Sequence, residues 1–487
     1  MTEPEKHPLR VRHTGPVIRP DPARVLLRSF SPTTEQRSLQ IIARISVLSE
    51  EHIAAELQEL LTRFGDRHHQ LQAFWLRRFD QVKALLLTDT PTSQARKLVI
   101  GAYFTQEYAL EGAALFNPSL VWHPDQTGLA AGSRRFVLSL RATGEGHISS
   151  IAFRSGVVDA QNTLTLDEPT RFVSSPVQVA YPPYDRALFS QKLHELDHRD
   201  DAVAALMATL NENFTLDELK ASVQLVERQN RSQRSGLPLS YLLTLARANY
   251  TVAFSPDQPL SERVLFPTSP TEINGIEDAR FVEFCEESGK RSYYATYTAY
   301  DGKVAMPQLL QTQDFLTFEM STLNGPEVQN KGMALFPRRI RGHYAMLSRQ
   351  DNENIYLMYS DNLHFWYTRE ILLKPTYPWE YVQLGNCGSP LETDAGWLVL
   401  THGVGAMRQY AIGAILLDRA DPSKVLGRLR KPLLTPQPDE REGYVPNVVY
   451  SCGGQIHNNT LILPYALSDY ASSFAVVPLD DILGALE

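Results

Sequence analysis

Cysteine is scarce in this chain, and the three present, Cys285, Cys387 and Cys452, stand far apart and are odd in number. No C-x-x-C pair or zinc spacing occurs, so neither a disulfide framework nor a metal site is expected, and each thiol reads as a small core residue. A run of ~18 apolar residues is also missing, which removes a membrane-spanning helix. The start, MTEPEKHPLRVRHTGPVIRPDPARV, is polar and proline-rich and lacks the apolar stretch of a secretory signal. The cytoplasm is the expected address. Basic residues are in the minority: 47 Lys and Arg against 55 Asp and Glu leave a formal charge of −8. That balance argues against nucleic acid and against anionic membranes as partners, since both need a basic face. A small anion is not excluded, because a local cluster of Arg, Lys and His binds phosphate on an acidic protein. G-x-x-x-x-G-K-[ST], G-x-G-x-x-G and G-x-S-x-G are absent from any suitable context, so nucleotide hydrolysis and serine-ester chemistry lose their usual support.

What is present falls into regions of different texture. At 487 residues the chain exceeds the size of a single hydrophobic core. Residues 1–30 read as an extended arm, with Pro at 4, 8, 16, 20 and 22. From 34 to 100 the period is helical. Ile53, Leu57, Leu60, Leu61 and Phe64 make one stripe, with Ser49 as cap and Glu50 and Glu51 in the first turn. A second helical stretch runs from Gln70 to Leu87. Beyond 101 short β runs alternate with turns, as in FVLSL, YYATYTAY and IYLMYS. Helix returns between 188 and 249: Val203, Leu206, Met207 and Leu210 share a face, and Thr215 with Glu218 forms a capping-box signature. The expected organisation is an N-terminal arm and helical region over 1–100, then a β domain over 101–487 interrupted by a helical insertion at about 188–249.

The β region repeats. Five lead-in segments share one plan: FNPSLVW (116–122), IEDARFVEF (276–284), NKGMALFP (330–337), GNCGSPLE (385–392) and YVPNVVYS (444–451). Each leads through a strand and a turn to a second strand ending in a polar residue: Arg141, Tyr297 or Tyr300, Arg349, His402 and Asp469. Five similar units of about four strands suggest a five-bladed β-propeller, a mainly β fold that manages sheet edges by radial repetition. A Greek-key sandwich is the alternative, but it gives no reason for a polar residue at the same place in every unit. In a propeller those places converge on one mouth, which would gather Asn117, Arg141, Asp278, Arg280, Lys331, Arg349, His402 and Asp469 into a single pocket. Its cations suit phosphate or sulfate, and its carboxylates suit sugar hydroxyls and proton transfer. Trp122, Trp366, Trp379 and Trp397 are candidate sugar faces, although core packing is the usual role of tryptophan.

GIEDARFVEF with YYATYTAYDG, NKGMALFPRRIRGHYAMLSRQ with IYLMYSDNLHFW, CGSPLETDAGWLVLTHGV and GYVPNVVYSCGG occur in the order of, and resemble, glycoside hydrolase family 130, the β-mannoside phosphorylases and related β-mannosidases. The resemblance runs from about Asn117 to the C-terminus, without the insertion. It implies a five-bladed propeller and an inverting mechanism with Asp278, in an E-D-P-R-like motif, as catalytic acid. An inverting glycosidase needs a second carboxylate to activate water, whereas phosphate is already an anionic nucleophile and needs a cationic cradle. The family places Arg280, Lys331, Arg349 and His402 as phosphate-binding candidates, and Asn117, Arg141 and Asp469 as substrate-binding ones. The implied partners are a β-mannoside and inorganic phosphate, with no metal or organic cofactor. The expected activity is phosphorolysis to α-mannose 1-phosphate; an inverting β-mannosidase and a non-catalytic sugar-binding propeller are the alternatives.

This sequence departs from the family at Ala279, where proline is common, and at N-K-G (330–332). Helical periodicity cannot put Phe74, Trp75, Leu76 and Phe79 on one narrow face, so this stretch must be covered on more than one side. A homo-oligomer, most simply a two-fold dimer through these helices, is expected to supply that cover, and the alternative is that the helices fold back on their own chain.

Overall fold

The side-chain caps anticipated for the helices form. Ser49 Oγ accepts the His52 amide at 3.3 Å at the start of α2 (Glu50–Phe64). Thr34 does the same for α1 (Glu35–Ser46), and Ser93 for α4 (Gln94–Tyr103). A computed structural model describes residues 9–86, 90–196, 201–229 and 240–487. Leu87, prolines 4 and 8 of the arm, and parts of the insertion lie outside these residues. Trp75 and Phe79 of α3 (Leu71–Val82) are buried, while Phe74 and Leu76 are half-buried against Leu57, Leu60, Leu61 and Phe64. The expected cover on more than one side is supplied in part by the chain's own helices, while Phe74 and Leu76 stay half-buried. Trp75 clusters with Leu71 and with Leu98 of α4, and Phe79 with Ile53 of α2 and Val99 of α4.

The rest is mainly β. Ala114–Trp122, Arg134–Thr143 and Ser149–Val158 form an antiparallel meander. A second meander comprises Gly275–Cys285, Arg291–Tyr300, Ala305–Thr312 and Thr317–Thr322, and a single parallel pairing, Gly275 with Ser149, joins the two. Separate sheets follow over Ala334–Leu373 and Gln383–Arg428. The last sheet combines Val449–Tyr450, Thr460–Leu467 and Ala471–Pro478 with a strand from the arm, Arg12–Ile18. The arm is therefore an integral strand of the C-terminal sheet, tied further by the Arg10–Asp481 ion pair at 2.8 Å.

Strands such as Ala114–Trp122 and Gly396–Val404 are buried on both faces, as sheets packed between neighbours must be. Each unit packs on the next: Phe281 near Phe153, Leu335 near Phe284, Phe336 against Trp397, and Leu400 near Leu463. The last packs back on the first through Ile462, Phe474 and Phe136. Helices α5 (Arg186–Glu195), α6 (Asp201–Ala208), α7 (Leu216–Gln229) and α8 (Ser240–Ala246) cover the outer strands of the second meander, with Phe189, Leu206, Leu219 and Leu245 in its core cluster. The anticipated capping box at α7 forms, Glu218 accepting from the Thr215 amide at 2.7 Å and Thr215 from the Glu218 amide at 3.3 Å. Cys387 and Cys452 are core residues as expected; Cys285 is exposed, because it ends its strand at the sheet margin.

Candidate active site

All five lead-in segments contain a residue in the left-handed backbone region: Asn117 (φ 49°), Asp278 (53°), Asn330 (62°, with Gly332 at 90°), Gly388 (89°) and Asn447 (62°). These are the residue types that tolerate that region. At Asn117 and Asp278 the register of the strand pair slips, between Phe116 and Ser119 and between Glu277 and Arg280. Such bulges re-aim a side chain out of the pleat. Here they turn two polar side chains toward each other: Asn117 Nδ2 donates to Asp278 Oδ1 at 2.7 Å.

Around this pair lies a cavity of about 420 Å³, walled by residues from all five units. Asn117, Arg141, Asp278, Lys331, Arg349 and Asp469, six of the eight residues singled out in the sequence, line it. Arg141 Nη1 is 3.3 Å from Asp278 Oδ1, and Arg141 Nη2 donates to Glu277 Oε1 at 2.7 Å. Lys331 Nζ stands 3.7 Å from the other Glu277 oxygen. Glu277 thus bridges two cations that flank Asp278. Burial alone would raise the Asp278 pKa, but Arg141, Lys331, Arg280 and the Asn117 amide outweigh it and hold the group well below the usual carboxylate range. Asp469 goes the other way. Burial and then the neighbouring Asp278 charge push it up to about 6, against the opposing pull of Arg141, Arg408 and Lys331.

Arg280 and His402 do not line the cavity; they form the layer behind it. Arg280 is fully enclosed and donates to the Tyr450 hydroxyl at 2.5 Å, and Tyr450 makes the wall. His402 packs edge-on to Tyr450 at 4.9 Å between ring centroids and parallel to Tyr410. Its ring nitrogens make no hydrogen bond of good geometry, although the Asn386 backbone lies close. Burial first, then the adjacent Arg349 and Arg280 charges, depress its pKa far below the ordinary value. The histidine counted among the cationic candidates is therefore neutral. Two glycines make this layering possible. A Cβ at Gly332 (φ 90°) would stand 2.4 Å from Arg349 Nε, and one at Gly385 would stand 2.4 Å from His402 Cε1. The N-K-G sequence has its reason here: the glycine lets Arg349 lie flat against the lead-in.

None of the four tryptophans singled out lines the cavity; Trp366 and Trp397 are wholly buried core residues. Tyr297 is sequestered with Glu272 at the insertion side. Sequence reasoning missed Glu277, Arg408, Asn352, Gln383, Tyr410, Tyr444 and Tyr450. Glu277 was legible as the neighbour of Asp278. Arg408 was not, because it sits in the hairpin turn beyond His402, at φ 53°.

Part of the chain that carries this site is similar to known proteins. The family described as glycoside hydrolase 130, beta-1,4-mannooligosaccharide phosphorylase, matches residues 256–487. A 1,2-beta-oligomannan phosphorylase of Thermoanaerobacter sp. (strain X514) is 34% identical over 230 residues, which cover 46% of this chain and 75% of that protein. The chain belongs to glycoside hydrolase family 130. A second member, the beta-1,2-mannobiose phosphorylase of Listeria innocua, is 31% identical over 258 residues, 51% of this chain and 69% of that one. The solved structure of a Listeria innocua beta-1,2-mannobiose phosphorylase with beta-1,2-mannobiose has a TM-score of 0.47 and 24% identity, covering 78% of this chain and 93% of that chain. Within the family match, residues 256–487 contain Asp278, Lys331, Arg349 and Asp469; Asn117 and Arg141 come from the first unit, before it.

Proposed function

We propose that this chain is an inverting β-mannoside phosphorylase, converting a β-mannoside and inorganic phosphate to α-mannose 1-phosphate and a shortened acceptor. The observation that carries the reading is Asp278, on a bulge in a polar cavity that holds a second carboxyl, Asp469, and four cations, Arg141, Lys331, Arg349 and Arg408. The relatives' names support a β-mannoside substrate, and those of the first two favour a β-1,2 linkage. The scaffold we propose is a five-bladed β-propeller over 101–487, completed by the Arg12–Ile18 strand, with 1–100 otherwise a separate helical layer. Consecutive packing of five units, with the last against the first, supports it. Among the described residues no helix is long and apolar enough to cross a membrane. We place the reaction in the cytoplasm.

In the proposed roles, Asn117, Arg141 and Asp469 hold the mannosyl unit. Lys331 and Arg349 hold phosphate, and Arg280 and His402 fix the wall behind. Asp278 gives its proton to the glycosidic oxygen, directly or through a sugar hydroxyl, as a phosphate oxygen attacks the anomeric carbon from the opposite face. An acid must first be protonated, and Asp278 among its cations is a carboxylate. A phosphate anion beside Lys331 and Arg349 offsets those charges and raises the Asp278 pKa, so the nucleophile prepares the acid it works with.

Incubation with β-1,2- and β-1,4-mannobiose, with and without phosphate, tests the function. The expected result is phosphate-dependent formation of α-mannose 1-phosphate. Release of free mannose at the same rate without phosphate would establish the hydrolase instead, and binding without cleavage would establish the sugar-binding alternative.

A further inference from the structure

A second cavity, of about 560 Å³, lies between the helical insertion and the second and third units, and is larger than the one around Asp278. Its walls are the last turn of α5, the start of the strand Ala305–Thr312, and the turn Gly325–Asn330. Ala305 pairs with Tyr300, and Tyr300 with Gly275, close to Asp278 on the same strand. The second cavity therefore stands at the mouth end of that sheet. It also ends at Asn330, whose chain neighbour Lys331 lines the catalytic cavity, so the two cavities share one stretch of wall.

The lining is chemically selective. Gln191 offers an amide donor and acceptor, Gln329 and Asn330 offer amide oxygens while their nitrogens donate to the Pro326 and Gln350 carbonyls at 2.7 and 3.2 Å, and Met306 and Pro307 offer apolar faces. The charges present are already committed to one another. Lys192 Nζ is 2.9 Å from Glu195 Oε2, and Glu195 Oε1 accepts the Gly325 amide at 2.6 Å, which pins α5 to the turn. Burial, opposed by Glu195, lowers the Lys192 pKa. A neutral ligand rich in hydroxyls and C–H faces fits such a surface better than an anion does. In the proposed reaction the acid stands on the leaving-group side of the scissile bond, and Asp278 belongs to the sheet that also walls this second cavity.

We propose that the helical insertion builds an outer subsite for the acceptor end of a longer β-mannooligosaccharide. The proposal rests on the phosphorylase reading for its substrate. The α5 wall of this cavity lies outside the 256–487 family match, and the other two walls lie within it.

The experiment compares phosphorolysis of β-mannobiose and β-mannotetraose by the full chain and by two variants, Gln191→Trp, which fills the cavity, and Gln191→Ala with Gln329→Ala, which strips its amides. Calorimetry of the same two sugars on an Asp278→Asn background reports binding without turnover. The expected result is that the tetraose is preferred by about tenfold or more in kcat/KM, a contribution of ~1.4 kcal/mol. Both variants should abolish that preference while leaving mannobiose kinetics unchanged. A tetraose-to-biose ratio that stays the same in folded Gln191→Trp and in the double alanine variant would overturn the proposal. Should Gln191→Trp lower the melting temperature, the double alanine variant decides alone. If mannobiose itself is not cleaved, the phosphorylase reading fails; the calorimetric tetraose-to-biose ratio still tests the subsite.

Discussion

Two places in this protein set a buried carboxylate among arginines, and they are built to different ends. Glu111, fully buried, receives Arg154 through both oxygens at 2.8 and 3.1 Å and Arg24 at 3.1 Å. The cluster joins the arm to the first meander. Asp278 also sits among cations, and both clusters keep polar atoms without a hydrogen bond: Asn117 Oδ1, Arg280 Nε and Arg349 Nε near Asp278, and Arg24 Nε and Nη1 near Glu111. In a structural cluster the carboxylate's hydrogen-bonding capacity is filled from within the chain. A functional one keeps its carboxylate within reach of what arrives later. Access, more than charge, distinguishes the two: Asp278 lines a cavity of about 420 Å³, whereas Glu111 is fully buried.

The sharpest way to break the comparison is to neutralise each carboxylate. Asp278→Asn should lower turnover by about three orders of magnitude or more, since it removes the assigned proton donor, while calorimetry still detects mannoside binding. Glu111→Ala should do the reverse. It leaves two buried guanidinium groups without their anion and should cost about 3–5 kcal/mol in denaturant unfolding, with kcat/KM unchanged in whatever protein remains folded. If Asp278→Asn lowered stability and spared turnover, the two clusters would be the same kind of object.

Smaller effects sharpen the contrast within the site. Lys331→Ala and Arg349→Ala should raise the KM for phosphate about tenfold or more and that for the mannoside less. His402→Ala, behind the wall and neutral, should mainly lower stability. Protonation adds a further handle. Activity requires protonated Asp278, so its loss at rising pH should begin at higher pH with saturating phosphate than with scarce phosphate; a limb that does not move would refute the coupling. For stability the two site carboxylates act oppositely. The depressed Asp278 pKa contributes stability above the unfolded value of 3.8 that is lost as pH falls below it. The raised Asp469 pKa means stability falls as pH rises from 3.8 through about 6. Asp469→Asn should accordingly melt slightly higher than the parent at pH 8, and the difference should vanish near pH 3.5. The smallest expected signal is in light scattering: because Trp75 and Phe79 of α3 pack with Leu98 and Phe104, truncation before Lys97 should uncover those two residues and raise self-association of the truncated chain at micromolar concentration.

Much of this was legible in sequence because it depends on local chemistry. Asn, Asp or Gly at five lead-ins marks backbone that must turn left-handed, and Ser49 and Thr215 mark helix starts through hydrogen bonds spanning three residues. Six site residues followed from position in the repeat. What stayed hidden depends on depth and distance. Whether Arg280 faces the cavity or the layer behind is decided by Tyr450, 170 residues away. The neutrality of His402 follows from total enclosure beside Arg349, which no spacing reveals. That the arm would be a strand depended on a partner at the far end of the chain, and a Pro-rich segment gives no sign of it.

That arm has a consequence for how the molecule is made. Arg10 meets Asp481 across 471 residues of chain, and strand Arg12–Ile18 waits for Ala471–Pro478. During synthesis at ~5–20 residues per second, the waiting lasts tens of seconds, long enough for an unpaired strand edge to find the wrong neighbour. The helical layer that follows the arm is local in sequence and forms early. It holds the nascent segment's tail in place while the outer edge stays open, and the final snap of the first strand onto the last should be the slow event in refolding, visible as a late gain of protection at Arg12–Ile18.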